Sequence, residues 1–255
     1  MRHRRASLAV RLIPALDLKA GHCVRLLHGD FAAETRYGTD PLTLLAKYRD
    51  LGADWLHVVD LDGAKDGTLG NRAIIAQLAA QTAVKLQVGG GLRTLAAVEQ
   101  MLDLGAARVV VGSAAIAAAD EVQTWLERVG PERLTLAFDV RLDDGGVPRV
   151  ATHGWQRQSE LSLWSALEYF TGSRLKHVLC TDVARDGALN GPNIALYREA
   201  ERRHPVIQWQ ASGGVRDARD LHALAAAGAA AAISGKALLE ELIPVKDLQP
   251  FLPNA

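Results

Sequence analysis

Cysteine is scarce. Only two, Cys23 and Cys180, occur in 255 residues, far apart and in no metal-ligand spacing. That excludes a disulfide framework and leads us to expect reduced thiols in a cytoplasmic protein. No apolar run reaches transmembrane length; even 223–233 is short and mostly alanine, so no membrane span is expected. Charge of either sign is not in excess: the formal net charge is +0, which argues against a general nucleic-acid binder. There is no Gly-x-Ser-x-Gly elbow, no Walker loop and no His/Cys/Glu cluster at metal spacing. These absences give no grounds for a serine-nucleophile elbow, a nucleotide P-loop or a metal, and neither metal nor cofactor is expected. No Pro/Gly/Ser-rich linker divides the chain, so one domain over 1–255 is expected. The basic start, Met1-Arg2-His3-Arg4-Arg5, lacks the apolar core of a signal peptide, and residues 1–10 read as a flexible extension.

What is present is rhythm. Eight short apolar runs, at 12–16, 56–59, 84–88, 108–111, 134–138, 177–180, 206–210 and 230–233, are near-continuous rather than alternating. That pattern suits strands buried on both faces of a parallel sheet. Helical periodicity fills the gaps, at 41–51, 71–80, 94–104, 120–129, 162–170, 193–203, 217–227 and 236–242. Asn71, Thr94, Asn193 and Asp217 are placed as N-caps, and Gly52, Gly105 and Gly228 as stops. Eight β-then-α units in about 250 residues predict an α/β protein with the (βα)8 TIM-barrel fold. A doubly wound open sheet is the alternative.

An internal repeat favours the barrel. Gln87-Val88-Gly89-Gly90-Gly91-Leu92-Arg93 is echoed by Gln210-Ala211-Ser212-Gly213-Gly214-Val215-Arg216, 123 residues on (216 − 93). The segments 106–115 and 229–238 match at the same offset, 57–69 and 177–189 match at 120, and Asp17 and Asp139 match at 122. Four landmarks at nearly one offset predict two half-barrels of four units each.

In such a fold, catalytic groups sit at strand C-termini and in the loops that follow. Asp17, Asp60, Asp139 and Asp182 occupy strand ends, and Asp186 the loop after the sixth strand. A lone aspartate there more often caps a helix or pairs with a neighbouring loop. Asp17 and Asp139, on opposite strands at repeat-related positions, are the pair favoured for acid–base work. Glycine loops supply two candidate anion sites: Gly90, Gly91, Gly112 and Ser113, and opposite them Gly213, Gly214, Gly235 and Lys236. Two such sites predict an elongated small molecule with a phosphate at each end. Bulk at Gly91 or Gly214 is expected to obstruct the phosphate. Arg93 is a candidate contact, whereas Arg216 reads as a surface charge. His57 and His177, at strand starts, read as structural. Trp155 lies in a long loop after the fifth strand, either stacking on a planar ligand or covering the barrel top.

Taken together, Ile13-Pro14-Ala15-Leu16-Asp17-Leu18, Gly29-Asp30, Tyr37-Gly38-Thr39-Asp40-Pro41, Val88-Gly89-Gly90-Gly91, Val110-Val111-Gly112-Ser113, Asp139-Val140-Arg141, Gly154-Trp155, Thr181-Asp182, Arg185-Asp186-Gly187 and Ser212-Gly213-Gly214 resemble one family. It is the phosphoribosylformimino-aminoimidazole-carboxamide ribotide isomerases of histidine biosynthesis. The resemblance runs from Arg11 to Leu242. It implies a cofactor-free Amadori rearrangement of a bis-phosphoribosyl aminoaldose to an aminoketose. It implies Asp17 as the base at C2, and Asp139 as the acid at the ring oxygen, with Asp186 competing for that role. Thr181 would orient the substrate, and Arg25 and Trp155 would contact it. The chain departs from the family at Ala188, where threonine is common, and at Ser234-Gly235-Lys236, where Val-Gly-Arg is common. Position 153 is His, whereas relatives that also isomerise phosphoribosylanthranilate tend to carry Arg. The sister cyclase that makes imidazole glycerol phosphate shares the barrel, but its first strand usually reads Cys-Leu-Asp-Val. A non-catalytic phosphosugar-binding barrel is the third reading. A monomer is expected.

Overall fold

The first strand, β1 (Arg11–Lys19), shows how the fold places its functional groups. Side chains alternate across a strand. Leu12, Leu16 and Leu18 face one way and join the large core shared with the helices. Ile13 and Ala15 face the other way, into a small second core, and Asp17 continues that inward row. The computed structural model describes residues 10–255 except 28–29, 68–69, 82, 153–154 and 156, and all their side chains except those of 27, 30–32, 157 and 158. Residues 1–9 of the expected extension, Gly29, His153 and Gly154 therefore lie outside the described residues. Val10 is fully buried.

The other strands are β2 (His22–Leu27), β3 (Asp30–Arg36), β4 (Trp55–Asp60), β5 (Lys85–Gly89), β6 (Arg108–Val111) and β7 (Leu134–Leu142). Then come β8 (Pro148–Thr152), β9 (Arg157–Ser162), β10 (His177–Asp182), β11 (Gln208–Ser212) and β12 (Ala231–Ser234). Eight of them pair in parallel in the order β10-β11-β12-β1-β4-β5-β6-β7, and β7 closes on β10. Helices separate them in sequence, giving the (βα)8 TIM barrel. All eight expected strands form. The seventh begins at Gln208 rather than 206, and Val206 is exposed. Thr94, Asn193 and Asp217 accept helix N–H groups as expected of caps. Asn71 does not cap its helix. Its side chain instead donates to Asp60 and Asp62 and accepts from the Gly21 N–H.

Two antiparallel ribbons extend the barrel where connecting loops were expected. β2 and β3 follow β1, and β8 and β9 follow β7. The ribbons occupy matching places in the two half-barrels. Asp143 closes the turn that leads from β7 into the second, accepting the N–H groups of Gly145 and Val147 at 3.0 and 2.9 Å.

Register corrects one feature of the repeat. Asp17 lies level with Val59, and Asp139 level with Thr181. The equivalent of Val59 is therefore Thr181, at an offset of 122 (181 − 59). His57 is level with Ala15, but His177 is level with Thr135, the equivalent of Ile13. The two histidines are thus not counterparts. His57 sits one inward layer nearer the mouth than His177. A two-residue slip keeps side chains on the same face, so residue pattern alone did not expose it.

The barrel interior is partly polar. Gln87 and Gln210, the leading residues of the two glycine stretches, exchange hydrogen bonds of 2.7 and 3.0 Å across the axis. Both are buried. Beneath them Arg108 lies over the Trp55 ring, 4.4 Å from its centroid, and meets His177 at 3.1 Å.

Candidate active site

A cavity of about 350 Å³ opens at the C-terminal ends of the strands. Its walls include Asp17 from β1, Arg25 from β2, Asp139 from β7, Trp155 from the ribbon turn, Thr181 from β10 and Asp186 from the loop after β10. All six were expected from the sequence, and the fold brings them together. Gly91, Arg93, Gly112, Ser113 and Gly235 also line the cavity. Gly213, Gly214 and Lys236 do not.

Arg25 lies between two carboxylates. Its guanidinium is 2.9 Å from Asp17 Oδ2 and 3.4 Å from Asp186 Oδ1. Asp17 nevertheless holds its proton above the ordinary aspartate range, because burial outweighs the attraction of Arg25. Asp139 is raised for the same first reason, burial, against hydrogen bonds from Trp155 and Thr181. The Trp155 indole donates to Asp139 Oδ2 at 2.7 Å. Trp155 does so from φ +71°, a left-handed backbone that costs a tryptophan about 1–2 kcal/mol. Such strain at a cavity wall, anchored by one directed bond, is typical of functional positions.

Asp60 and Asp182 are braces rather than cavity groups. Asp60 Oδ1 accepts from Gly63 N–H at 3.0 Å and from Asn71 Nδ2 at 2.6 Å. Asp182 accepts from Ala184 N–H at 3.1 Å and from Asn193 Nδ2 at 2.7 Å. Each holds the loop after its strand through an asparagine eleven residues on (71 − 60, 193 − 182).

The glycine loops divide into two kinds. Gly90, Gly91, Gly213 and Gly214 all have positive φ. A side chain on Gly91 would run into the Gly63 carbonyl, and one on Gly214 into that of Gly191. The expectation that bulk there would stand in the phosphate's place is therefore corrected: the neighbouring loop's backbone already fills that direction. Gly112 and Gly235 differ. Each starts a short helix, Ser113–Ala117 and Lys236–Leu239, with no side-chain cap. Their first-turn N–H groups are of the kind that binds an anion. A Cβ on Gly235 would lie 2.7 Å from the Arg25 guanidinium, so Arg25 also presses on the second helix start. Lys236 directs its ammonium to the Gly187 carbonyl, 3.1 Å away, and Arg93 reaches the Ala64 carbonyl at 3.0 Å. Both basic side chains tie down loops. Arg216 pairs with Asp220 outside the cavity, as expected of a surface charge.

One cavity residue was misjudged from sequence. His57 lines the cavity, and its Nδ1 lies 3.2 Å from Gln87 Nε2. Burial and the Arg25 charge push its pKa down to about 4, so it is neutral at pH 7. The discord between the offset of 120 for the histidines and 122 for Asp17 and Asp139 was the available signal.

The chain matches the family model described as "Histidine biosynthesis protein" over residues 11–244. Curated relatives named 1-(5-phosphoribosyl)-5-((5-phosphoribosylamino)methylideneamino) imidazole-4-carboxamide isomerase align along almost the whole length. That of Psychromonas ingrahamii is 46% identical over 236 residues, covering 92% of this chain and 96% of the relative. That of Cronobacter sakazakii is 48% identical, covering 90% and 94%. That of Xanthomonas campestris pv. campestris is 45% identical, covering 94% and 98%. With a family match across 11–244 and relatives this similar, the chain belongs to the histidine biosynthesis protein family.

Proposed function

We propose that this protein is an aldose–ketose isomerase that converts the bis-phosphoribosyl aminoaldose ProFAR to the aminoketose PRFAR by an Amadori rearrangement. One observation carries the mechanism: two largely buried carboxylates, Asp17 and Asp139, face one cavity from the ends of opposite strands. Asp139, protonated, gives its proton to the ribose ring oxygen as the ring opens to an imine. Asp17, ionised, removes the proton from C2, and the resulting enolamine tautomerises to the ketone. Proton transfer between positioned carboxyl groups is sufficient, and no cofactor enters the scheme. Thr181 orients the substrate, and Arg25 and Trp155 contact it. One phosphate lies at Gly91, Gly112 and Ser113 and the other at the helix start at Gly235, which the Gly214 loop adjoins; Arg25 moves off Gly235 to admit the second. The protein acts as a single domain and a cytoplasmic monomer; light scattering tests the last, with 27.4 kDa expected.

Conversion of purified aminoaldose with neither glutamine nor ammonia present is the decisive assay. A product that forms only with ammonia would indicate the cyclase instead, and no product at all a binding barrel. Turnover of phosphoribosylanthranilate would add the dual-substrate activity.

Asp186 competes with Asp139 as the acid, and a chemical rescue separates them. A substrate already ring-opened is expected to restore turnover to Asp139→Asn and not to Asp186→Asn. The reverse result would transfer the role to Asp186.

Asp139 also links activity to stability. Its folded pKa lies above its unfolded one, so its contribution favours folding below the unfolded pKa of about 3.9 and is lost as pH rises through the folded value. At pH 7 the unfolded chain is ionised at this position, so keeping the proton on Asp139 in the folded state costs stability. Asp139→Asn, which has no proton to hold, is expected to raise Tm at pH 7. The difference should shrink as pH falls below the raised pKa and close near the unfolded value of about 3.9. Calorimetry at pH 7 and pH 4 checks both statements, and an unchanged or lower Tm at pH 7 contradicts them.

A further inference from the structure

We infer that Arg108, acting through Gln87, fixes His57 as the neutral tautomer with its proton on Nε2, making it a hydrogen-bond donor on the cavity floor for an oxygen of the reacting sugar. The tautomer stands on the protein alone; the acceptor rests on the isomerase reading.

The argument begins with an ambiguity. A reciprocal Gln87–Gln210 pair looks the same with both amides turned over, since each residue still offers one donor and one acceptor. Arg108 removes that freedom. A guanidinium can only donate, and its Nη1 lies 3.3 Å from Gln87 Oε1. That atom must therefore be the carbonyl oxygen. The Thr135 hydroxyl, 3.4 Å from the same atom, fits as a further donor. Gln87 Nε2 is then fixed as the amide nitrogen. It spends one N–H on Gln210 Oε1 and points the other at His57 Nδ1. Nδ1 must accept, so in a neutral ring the proton is on Nε2. The lowered pKa, about 4, keeps the ring neutral through the physiological range.

Position gives this proton a purpose. His57 is level with Ala15, one inward layer below Asp17, and it lines the cavity. Nε2 has no protein partner among the described residues. A sugar bound between Asp17 and Asp139 rests on this floor. A neutral donor there can hold a substrate oxygen without competing with the carboxyl groups for protons. Arg108 and Gln87 do not line the cavity; they are positioning residues that act through His57.

The test uses the full-length protein labelled with ¹⁵N-histidine. The His57 ring signals, assigned by their loss in His57→Phe, are expected to show the Nε2–H pattern, unchanged between pH 5.5 and 8. An Nδ1–H pattern, or titration near the ordinary value of about 6.5, overturns the tautomer. Gln87→Met leaves Nδ1 without its donor and should give mixed tautomers while Arg108 stays in place. Retention of the pure Nε2–H pattern in that variant overturns the role of the Arg108–Gln87 pair. His57→Phe is expected to lower kcat/KM by about 10- to 100-fold, the scale of one buried polar group left unpaired, with no change in either limb of the pH profile. His57→Gln, which keeps a donor, should recover most of the loss. A loss under twofold in His57→Phe overturns the floor-donor role. Failure of the isomerase reading would appear separately, as absent turnover in the wild-type protein with the ring signals unaltered.

Discussion

Asp17→Asn is expected to abolish measurable isomerisation while leaving substrate affinity within a few-fold of wild type. Asn preserves the shape and still offers an oxygen to Arg25, which stays held by Asp186 3.4 Å away. What is lost is the capacity to accept a proton from carbon. General-base catalysis contributes about 10²–10⁴-fold, so kcat should fall by that factor. The wild-type dependence on pH should show the same group. Because burial raises the Asp17 pKa, the acid limb of kcat/KM belongs above the ordinary aspartate value of about 3.9, with activity rising as Asp17 ionises. The alkaline limb follows loss of the Asp139 proton. Calorimetric titration with the aminoaldose, beside steady-state rates, separates binding from chemistry. A kcat near wild type in Asp17→Asn would remove it from the role of base.

The glycine loops carry the second large effect. Gly91→Ala and Gly214→Ala should each destabilise the fold by about 4 kcal/mol or more, a size confined to a few mechanisms. Two act together here. The backbone is left-handed at both positions, at φ +74° and +89°, and a methyl group would collide with the carbonyl of the adjoining loop. A typical domain has only about 5–15 kcal/mol in hand, so poor soluble yield or a greatly lowered Tm is expected. Gly112→Ala is the contrast. Its φ is −101°, and an added Cβ meets nothing nearer than 3.8 Å. That variant should keep the wild-type Tm within a few degrees, while KM for the bisphosphorylated substrate rises several-fold. A ligand lacking the phosphate on that side should not feel the change. Thermal melts and KM values for the three variants decide the matter; equal stability in all three would contradict the close approach of the loops.

The barrel was legible because its strands are buried on both faces. Their near-continuous apolar runs announce themselves without any partner, and all eight formed. The ribbons were not. β8 begins at Pro148 and has only five residues, and the Asp143–Gly146 turn before it reads equally well as part of a long loop. The acidic residues at strand ends were visible, but their division into two kinds was not. Asp17 and Asp139 face the cavity because their strands continue the inward row. Asp60 and Asp182 end strands too, yet each is taken up by an asparagine that comes near only after the chain has turned back. The glycines were recognised as a pair of loops, whereas the direction of their missing side chains needed the neighbouring loop in place. His57 was assigned to the wrong layer because a slip by one strand repeat leaves the sequence match intact.

The two half-barrels meet at the axis on unequal terms. Gln87 and Gln210 are counterparts, but the residue level with Gln87 is Arg108 and the residue level with Gln210 is Ala231. A molecule assembled from two copies of the first half would place two guanidiniums around one amide pair, and buried like charges are costly. Two copies of the second half would have none, and nothing would choose between the two orientations of the amides. The first half brings the arginine that orients the shared amide pair, the second brings none, and that one residue distinguishes the two halves at the axis.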